Sequence, residues 1–276
     1  MYVIEVPFLD LDQMYEGPQL LRWIKLRDSM YVVQDGKSSL KVEQQRGRLI
    51  MNCTEDEFYD KWFYYFDMET DYAEAYHAII KQNKFLKVCA VRSGGVRIIK
   101  QDPFECIIAS IIKAYCSDPN ACRFVFNSLA HVCGIEHKQS VRGVGKITWY
   151  EFPTPEAIIE NIDKLILGTK VRSLILSVCE YISEGWLDLD FMKYMTSEEA
   201  KLYLSEFIED SKVLDFIYLF GLHDLNWLPR CKFEDKVKQL KLKDNFGLIY
   251  AYVMHHKLNP PKNMVSEMKV GEHRWG

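Results

Sequence analysis

Several features that would narrow a protein's role at once are missing from this sequence. No apolar stretch reaches the roughly 18 residues that a membrane span needs, so no membrane partner is expected. Basic charge is not in excess: 35 Lys and Arg stand against 39 Asp and Glu, a formal net charge of −4. A global positive field of the kind that coats nucleic acid is thereby disfavoured, while a local basic cleft is not. Eight cysteines occur (Cys53, Cys89, Cys106, Cys116, Cys122, Cys133, Cys179 and Cys231), yet no two form a Cys-x-x-Cys pair. Met1 runs straight into a strand-like segment rather than a secretory leader. The thiols are therefore expected to be reduced, in a cytoplasmic setting, as small core hydrophobes. Cys116, Cys122 and His131 match no common zinc spacing, and neither a metal nor a cofactor is expected. Internal repeats and low-complexity tracts are absent too.

What is present is ample apolar material. The chain of 276 residues is 48% hydrophobic, with 16 Tyr and 15 Phe, enough for a sizeable core without cross-links. Up to about residue 100 the pattern is of short strands: Tyr2–Val6 alternates, Met30–Val33 precedes an Asp35-Gly36 turn, and Arg48–Met51 is another apolar run. Thr54 with Asp56 and Glu57 opens a helix, Trp62–Phe66 is too aromatic to face solvent, and Asp71–Leu86 reads as helical. From Asp102 the period becomes 3.6, with Pro103 at a helix start and Phe104, Ile107, Ile108, Ile111 and Ile112 on one stripe. Further helices are expected over Asn120–Cys133, Thr154–Leu167, Lys170–Glu184, Leu187–Met195, Ser197–Phe207, Ser211–Gly221, Phe233–Leu240 and Phe246–His256. Pro260-Pro261 ends the pattern. The fold class is α+β: an antiparallel β-sheet domain over 1–100, a mostly helical domain over 101–260, and a loose tail over 261–276. A monomer is expected.

Six stretches, in order over roughly residues 15 to 255, resemble the 8-oxoguanine DNA glycosylases of the helix-hairpin-helix superfamily. They are Gln19-Leu20-Leu21-Arg22-Trp23; Glu57-Phe58-Tyr59 through Tyr65-Phe66-Asp67 and Asp71-Tyr72; Ile99 to Cys106; Phe152-Pro153-Thr154-Pro155; Leu167-Gly168 with Lys170 and Arg172; and Leu219–His223 leading to Pro229. The resemblance implies a fold that binds duplex DNA, flips one base from the stack, and attacks the sugar through a lysine assisted by an aspartate.

Carried over residue by residue, the resemblance gives a degenerate site. Lys212 falls at the Schiff-base nucleophile. The aspartate position falls on Cys231, a thiol whose ordinary pKa of about 8.5 leaves it only a few per cent ionised at neutral pH unless the flanking Arg230 and Lys232 lower it; Asp224 or Asp235 would serve only if the register slipped by a turn. In place of the family's Gly-x-Gly hairpin stands Phe207-Ile208-Glu209-Asp210-Ser211, with two negative charges where a DNA phosphate would lie and a good N-cap in Asp210 or Ser211. Gly143-Val144-Gly145-Lys146 spells a hairpin but lacks flanking helices, so it reads as a turn. Tyr115 falls where a wedge fills the flipped base's place, and Asn120 where an arginine reads the opposite base. Lys170, Arg172, Arg230 and Lys232, with Lys138, Arg142 and Lys146, would supply a basic cleft. Pro18, Tyr250 and Met254 fall at the base pocket. A different enzyme, pairing Cys231 with His223 or His255, has only residue type in its favour.

The expectation is a pseudoenzyme: a DNA-glycosylase fold of base-excision-repair ancestry that has lost or strongly altered its chemistry and binds a protein or, weakly, duplex DNA. The alternative is an active glycosylase/AP lyase using Lys212 on an unusual base.

Overall fold

A computed structural model describes residues 1–141 and 143–261; the expected tail from residue 262, and Arg142, lie outside the described residues. The chain opens with β1 (Tyr2–Glu5) and α1 (Leu11–Tyr15). Strands β2 (Trp23–Arg27), β3 (Met30–Asp35), β4 (Ser38–Gln45) and β5 (Arg48–Met51) follow, and the five strands form an antiparallel sheet in the order β1-β5-β4-β3-β2. β2 and β4 had no clear signal in the sequence. Tight turns set the register, and Gly36 takes the left-handed conformation (φ +55°) that the Asp35-Gly36 turn demands.

The aromatic run after Thr54 is helical: α2 (Glu55–Glu57), a π-turn (Phe58–Trp62) and α3 (Phe63–Tyr65), opened by a Thr54–Glu57 capping box. Phe58, Trp62, Tyr65 and Phe66 close the sheet's inner face together with Trp23 and Tyr31, all buried. Then come α4 (Tyr72–Ile80) and α5 (Lys84–Ser93).

The helical part begins with α6 (Pro103–Tyr115), capped by Asp102 with Pro103 in its first turn. Its residues from Glu105 to Ile112 are all buried, so it is the central rod. α7 (Pro119–Cys133) leads into a hairpin of β6 (Glu136–Val141) and β7 (Gly145–Tyr150), where Gly143 and Gly145 adopt positive φ as turn residues. After α8 (Pro155–Asn161) and α9 (Thr169–Ser183), the helix expected over Leu187–Met195 shrinks to a single 3-10 turn, Phe191–Tyr194. Asp188, Asp190, Gly185 and the buried Leu187 hold that stretch as a loop instead. α10 (Ser197–Phe207) is followed by α11 (Ser211–Phe216), which packs on α6 and runs on into a π-turn, Ile217–Gly221. α12 (Glu234–Lys238) and α13 (Phe246–Leu258) complete the described chain.

Two junctions fix the halves. Arg22, at the start of β2, forks onto Glu105 of α6 through Nε–Oε1 and Nη2–Oε2 bonds of 2.9 Å each, both side chains almost wholly buried. Glu105 also accepts the Gly36 amide at 2.8 Å. At the other junction α5 packs on α13, and Tyr72, Ile79, Leu86 and Cys89 share one core with Leu219, Leu248 and Tyr252. Part of the first hundred residues thus packs into the helical half.

Candidate active site

The site is built on the bend between α10 and α11. Buried Ile208 anchors it from below, while Glu209 stays exposed. Asp210 caps α11, its carboxylate accepting the amides of Lys212 (3.0 Å) and Val213 (3.4 Å). The Tyr115 hydroxyl, at the end of α6, donates to the same carboxylate. Partial burial pushes the Asp210 acid up, but the bonds from Tyr115 and the two amides outweigh it and hold the group below the usual carboxylate range. Lys170, in the first turn of α9, adds a favourable field there. The amides that open α11 therefore already have an anion from within the chain.

Lys212 is the next residue but one, and it is exposed. Among the described residues, no carboxylate oxygen lies within 4.0 Å of its amine. One turn on, the situation inverts: Asp215 is buried, 4% exposed. Its Oδ2 accepts the Arg230 amide at 3.2 Å and lies 3.3 Å from Arg230 Nε. Burial raises the Asp215 acid above its ordinary value, partly opposed by Arg230. Arg230 also reaches Ser211 Oγ at 2.6 Å, so its guanidinium straps the first turn of α11 to the segment after Pro229.

That strap corrects the reading of Cys231. Arg230 is turned to Asp215 and Ser211, and Lys232 is exposed, so neither neighbour acidifies the thiol. Burial pushes the Cys231 pKa up to about 11. Cys231, Tyr250 and Met254 do come together, as parts of one apolar cluster, and Asp215 acts electrostatically on both Cys231 and Tyr250. Tyr250 is 4% exposed and stacks on Phe233 with ring centroids 6.3 Å apart. Its phenol is pushed far up by burial. Gly247 brings α13 close, since a Cβ there would sit 2.3 Å from Leu219 Cδ1. Pro18 is buried in the turn before β2, next to Gln19, which bonds both Ile99 backbone groups.

The remaining candidates scatter. Arg172 is bound to Asp163 and to the Leu165 carbonyl (2.7 Å), so it is not a free cation. Lys138 pairs with Glu136 at 2.9 Å. Asn120 is exposed at the start of α7. Asp224 pairs with Lys201 at 2.5 Å and Asp235 is exposed in α12, so a slipped register offers no acid to Lys212. His223 bonds Ile98 O at 2.9 Å and Asp67 at 3.1 Å, and His255 Nδ1 bonds Ser93 at 2.8 Å; among the described residues no hydrogen bond joins either to Cys231. A cleft of about 480 Å³ lies elsewhere, between α7 and β7 beside Phe124, His131 and Trp149. Asp215 is the residue that sequence reasoning passed over. Its signal was a lone acid, three residues after Lys212, among Val213, Leu214, Phe216 and Ile217.

The fold is similar to that of several solved DNA glycosylases. It matches MBOgg1, solved with a low-affinity DNA ligand, at a TM-score of 0.78 and 21% identity, covering 92% of this chain and 94% of that one. The Clostridium acetobutylicum 8-oxoguanine glycosylase/lyase, bound to duplex DNA with cytosine opposite 8-oxoguanine, matches at 0.76 and 20%, covering 93% and 97%. The 3-methyladenine DNA glycosylase of Archaeoglobus fulgidus matches at 0.69 and 14%, covering 94% and 99%. Residues 2–107 match the family model of the 8-oxoguanine DNA glycosylase N-terminal domain.

Proposed function

We propose that this DNA-glycosylase-fold protein, of base-excision-repair ancestry, has lost or strongly weakened excision and acts by binding, to a protein partner first and to duplex DNA only weakly. The observation that carries the reading is the thiol at position 231. The resemblance calls for an anion there, beside the positive charge that develops on the sugar. A thiol with a pKa of about 11 is neutral at physiological pH. Losing such a group costs on the order of 3 kcal/mol of transition-state stabilisation, about a hundredfold or more in rate. The Asp210 carboxylate supports the same reading: it occupies the amides a phosphate would need, and with Glu209 it repels one. The kinship with glycosylases solved on DNA is what keeps duplex DNA as the second ligand.

A second reading has one observation in its favour. Asp215 is a buried acid one helical turn from an exposed, unpaired lysine, in a position to take over the electrostatic part of the missing aspartate. Borohydride trapping on duplexes carrying an abasic site or 8-oxoguanine separates the two. The wild-type chain should form no more adduct than Lys212→Gln, while Cys231→Asp should raise adduct formation by about a hundredfold. An adduct in the wild type that disappears in both Lys212→Gln and Asp215→Asn would establish the second reading.

A further inference from the structure

Away from the hairpin, the loop between α9 and α10 exposes an aromatic face on an acidic ground. Trp186 is 61% exposed, Phe191 55% and Tyr194 86%. Side chains of this size rarely stay in water without a partner, and here they are not a frayed tip. Trp186 stacks on Tyr181 at 5.9 Å, Tyr181 meets Phe207 at 5.5 Å, and Phe207 meets Tyr203 at 5.2 Å; Tyr203 in turn meets Phe191 at 6.5 Å. The Tyr203 hydroxyl accepts the Asp188 amide (2.8 Å) and donates to the Trp186 carbonyl (3.1 Å). Buried Leu187 holds the loop from beneath. Trp186 and Phe191 are therefore held in place before any partner arrives, which lowers the ordering cost of binding.

Its charge says what it suits. Residues 180 to 209 contain eight Asp and Glu but only two Lys and no Arg. Both lysines are committed, Lys193 to Asp190 at 2.5 Å, and Lys201 to Glu198 at 2.7 Å and Asp224 at 2.5 Å. Glu180, Glu184, Glu199 and Glu206, on the helices that flank the loop, are exposed. Carboxylates repel DNA. Carboxylates interleaved with open aromatic faces attract cationic side chains, through Coulomb attraction and through the ring quadrupole.

We infer that the Trp186–Phe191–Tyr194 face docks a Lys- or Arg-rich, partly apolar segment of a partner protein. The inference names the partner class for the binding role proposed above, but the surface stands whether or not Lys212 retains chemistry, so trapping and docking can fail separately.

The test uses the full chain and fluorescein-labelled peptides of one length: one alternating Lys, Arg and Leu, one alternating Glu and Leu, with a labelled DNA duplex alongside. The basic peptide should bind in anisotropy titrations and the acidic one should not. Trp186→Ala with Tyr194→Ala should weaken it by about tenfold or more, as expected for exposed aromatic anchors. Glu180→Gln with Glu184→Gln, which leaves the rings in place, should weaken it about threefold at low salt and have little effect at high salt. Lys212→Gln should change nothing. Equal binding of both peptides, or unchanged affinity in either double variant, overturns the inference. So does a Trp186-dependent dimer in sedimentation, or DNA competing for the same face.

Discussion

The junction between β2 and α6 and the bend between α10 and α11 both contain charged groups, but the two are finished differently. At the junction every charge is answered: Arg22 makes a bidentate pair with Glu105, Glu105 takes the Gly36 amide, and Arg22 Nη1 bonds the Tyr150 carbonyl at 2.7 Å. At the bend an exposed lysine has no acid, a buried acid is strapped by an arginine, and a carboxylate fills its own anion site. The charges of the β2–α6 junction answer one another, whereas among the described residues Lys212 at the bend has no carboxylate within reach. The junction and the bend depend on separate hydrogen-bond networks, so one can change without the other.

The largest expected effect breaks the firm half of this comparison. Glu105→Gln leaves the Arg22 guanidinium buried without its counter-charge and should cost about 3–5 kcal/mol in a urea unfolding titration. A loss below about 1 kcal/mol would show that the junction is not what holds the halves together.

Next is pH. His255 of α13 is 5% exposed and bonded to Ser93, beside Arg92 and His256, and burial lowers its pKa from 6.5 to about 4. Between those values the unfolded chain binds the proton and the folded chain does not, so stability rises with pH. The contribution is complete above pH 6.5 and drains away as pH falls towards 4, up to about 3 kcal/mol. Unfolding free energies across that range should show the slope in the wild type and lose it in His255→Gln. A slope that persists in the variant would place the titration elsewhere.

The smallest effect sharpens the picture of the bend. Asp210→Gly should change stability by only a few tenths of a kcal/mol, since glycine is a tolerable cap. It frees the first amides of α11 and removes a negative charge, so duplex affinity in a filter-binding titration should rise severalfold and fall more steeply with salt. Unchanged affinity would mean that DNA does not approach this bend.

Much of this was legible in the chain. Local spacing and capping gave the α+β order and helix starts such as Asp102-Pro103, and the resemblance of the ordered stretches from Gln19 to Pro229 implied the glycosylase-like fold. Lys212, Cys231 and the acidic bend were assigned by the register of the resemblance, held on Leu219–His223 and Pro229. What counting could not give were partners brought by other elements. Arg230 looked like an acidifying neighbour of Cys231 and turned to Asp215 and Ser211 instead. Arg172 looked like a DNA contact and is bound to Asp163. The expected helix over Leu187–Met195 had an adequate period, but the loop is pinned by Tyr203, eight residues past its end.

By itself the sequence determined the α+β order of elements and most helix starts, since each follows from residues within a few turns of one another. Only tertiary structure decided which charges are answered: whether a lysine stands alone, whether an aspartate is buried, whether a thiol is neutral. Ionisation and pairing depend on desolvation and on side chains within a few ångströms, and the chain brings those together from distant positions.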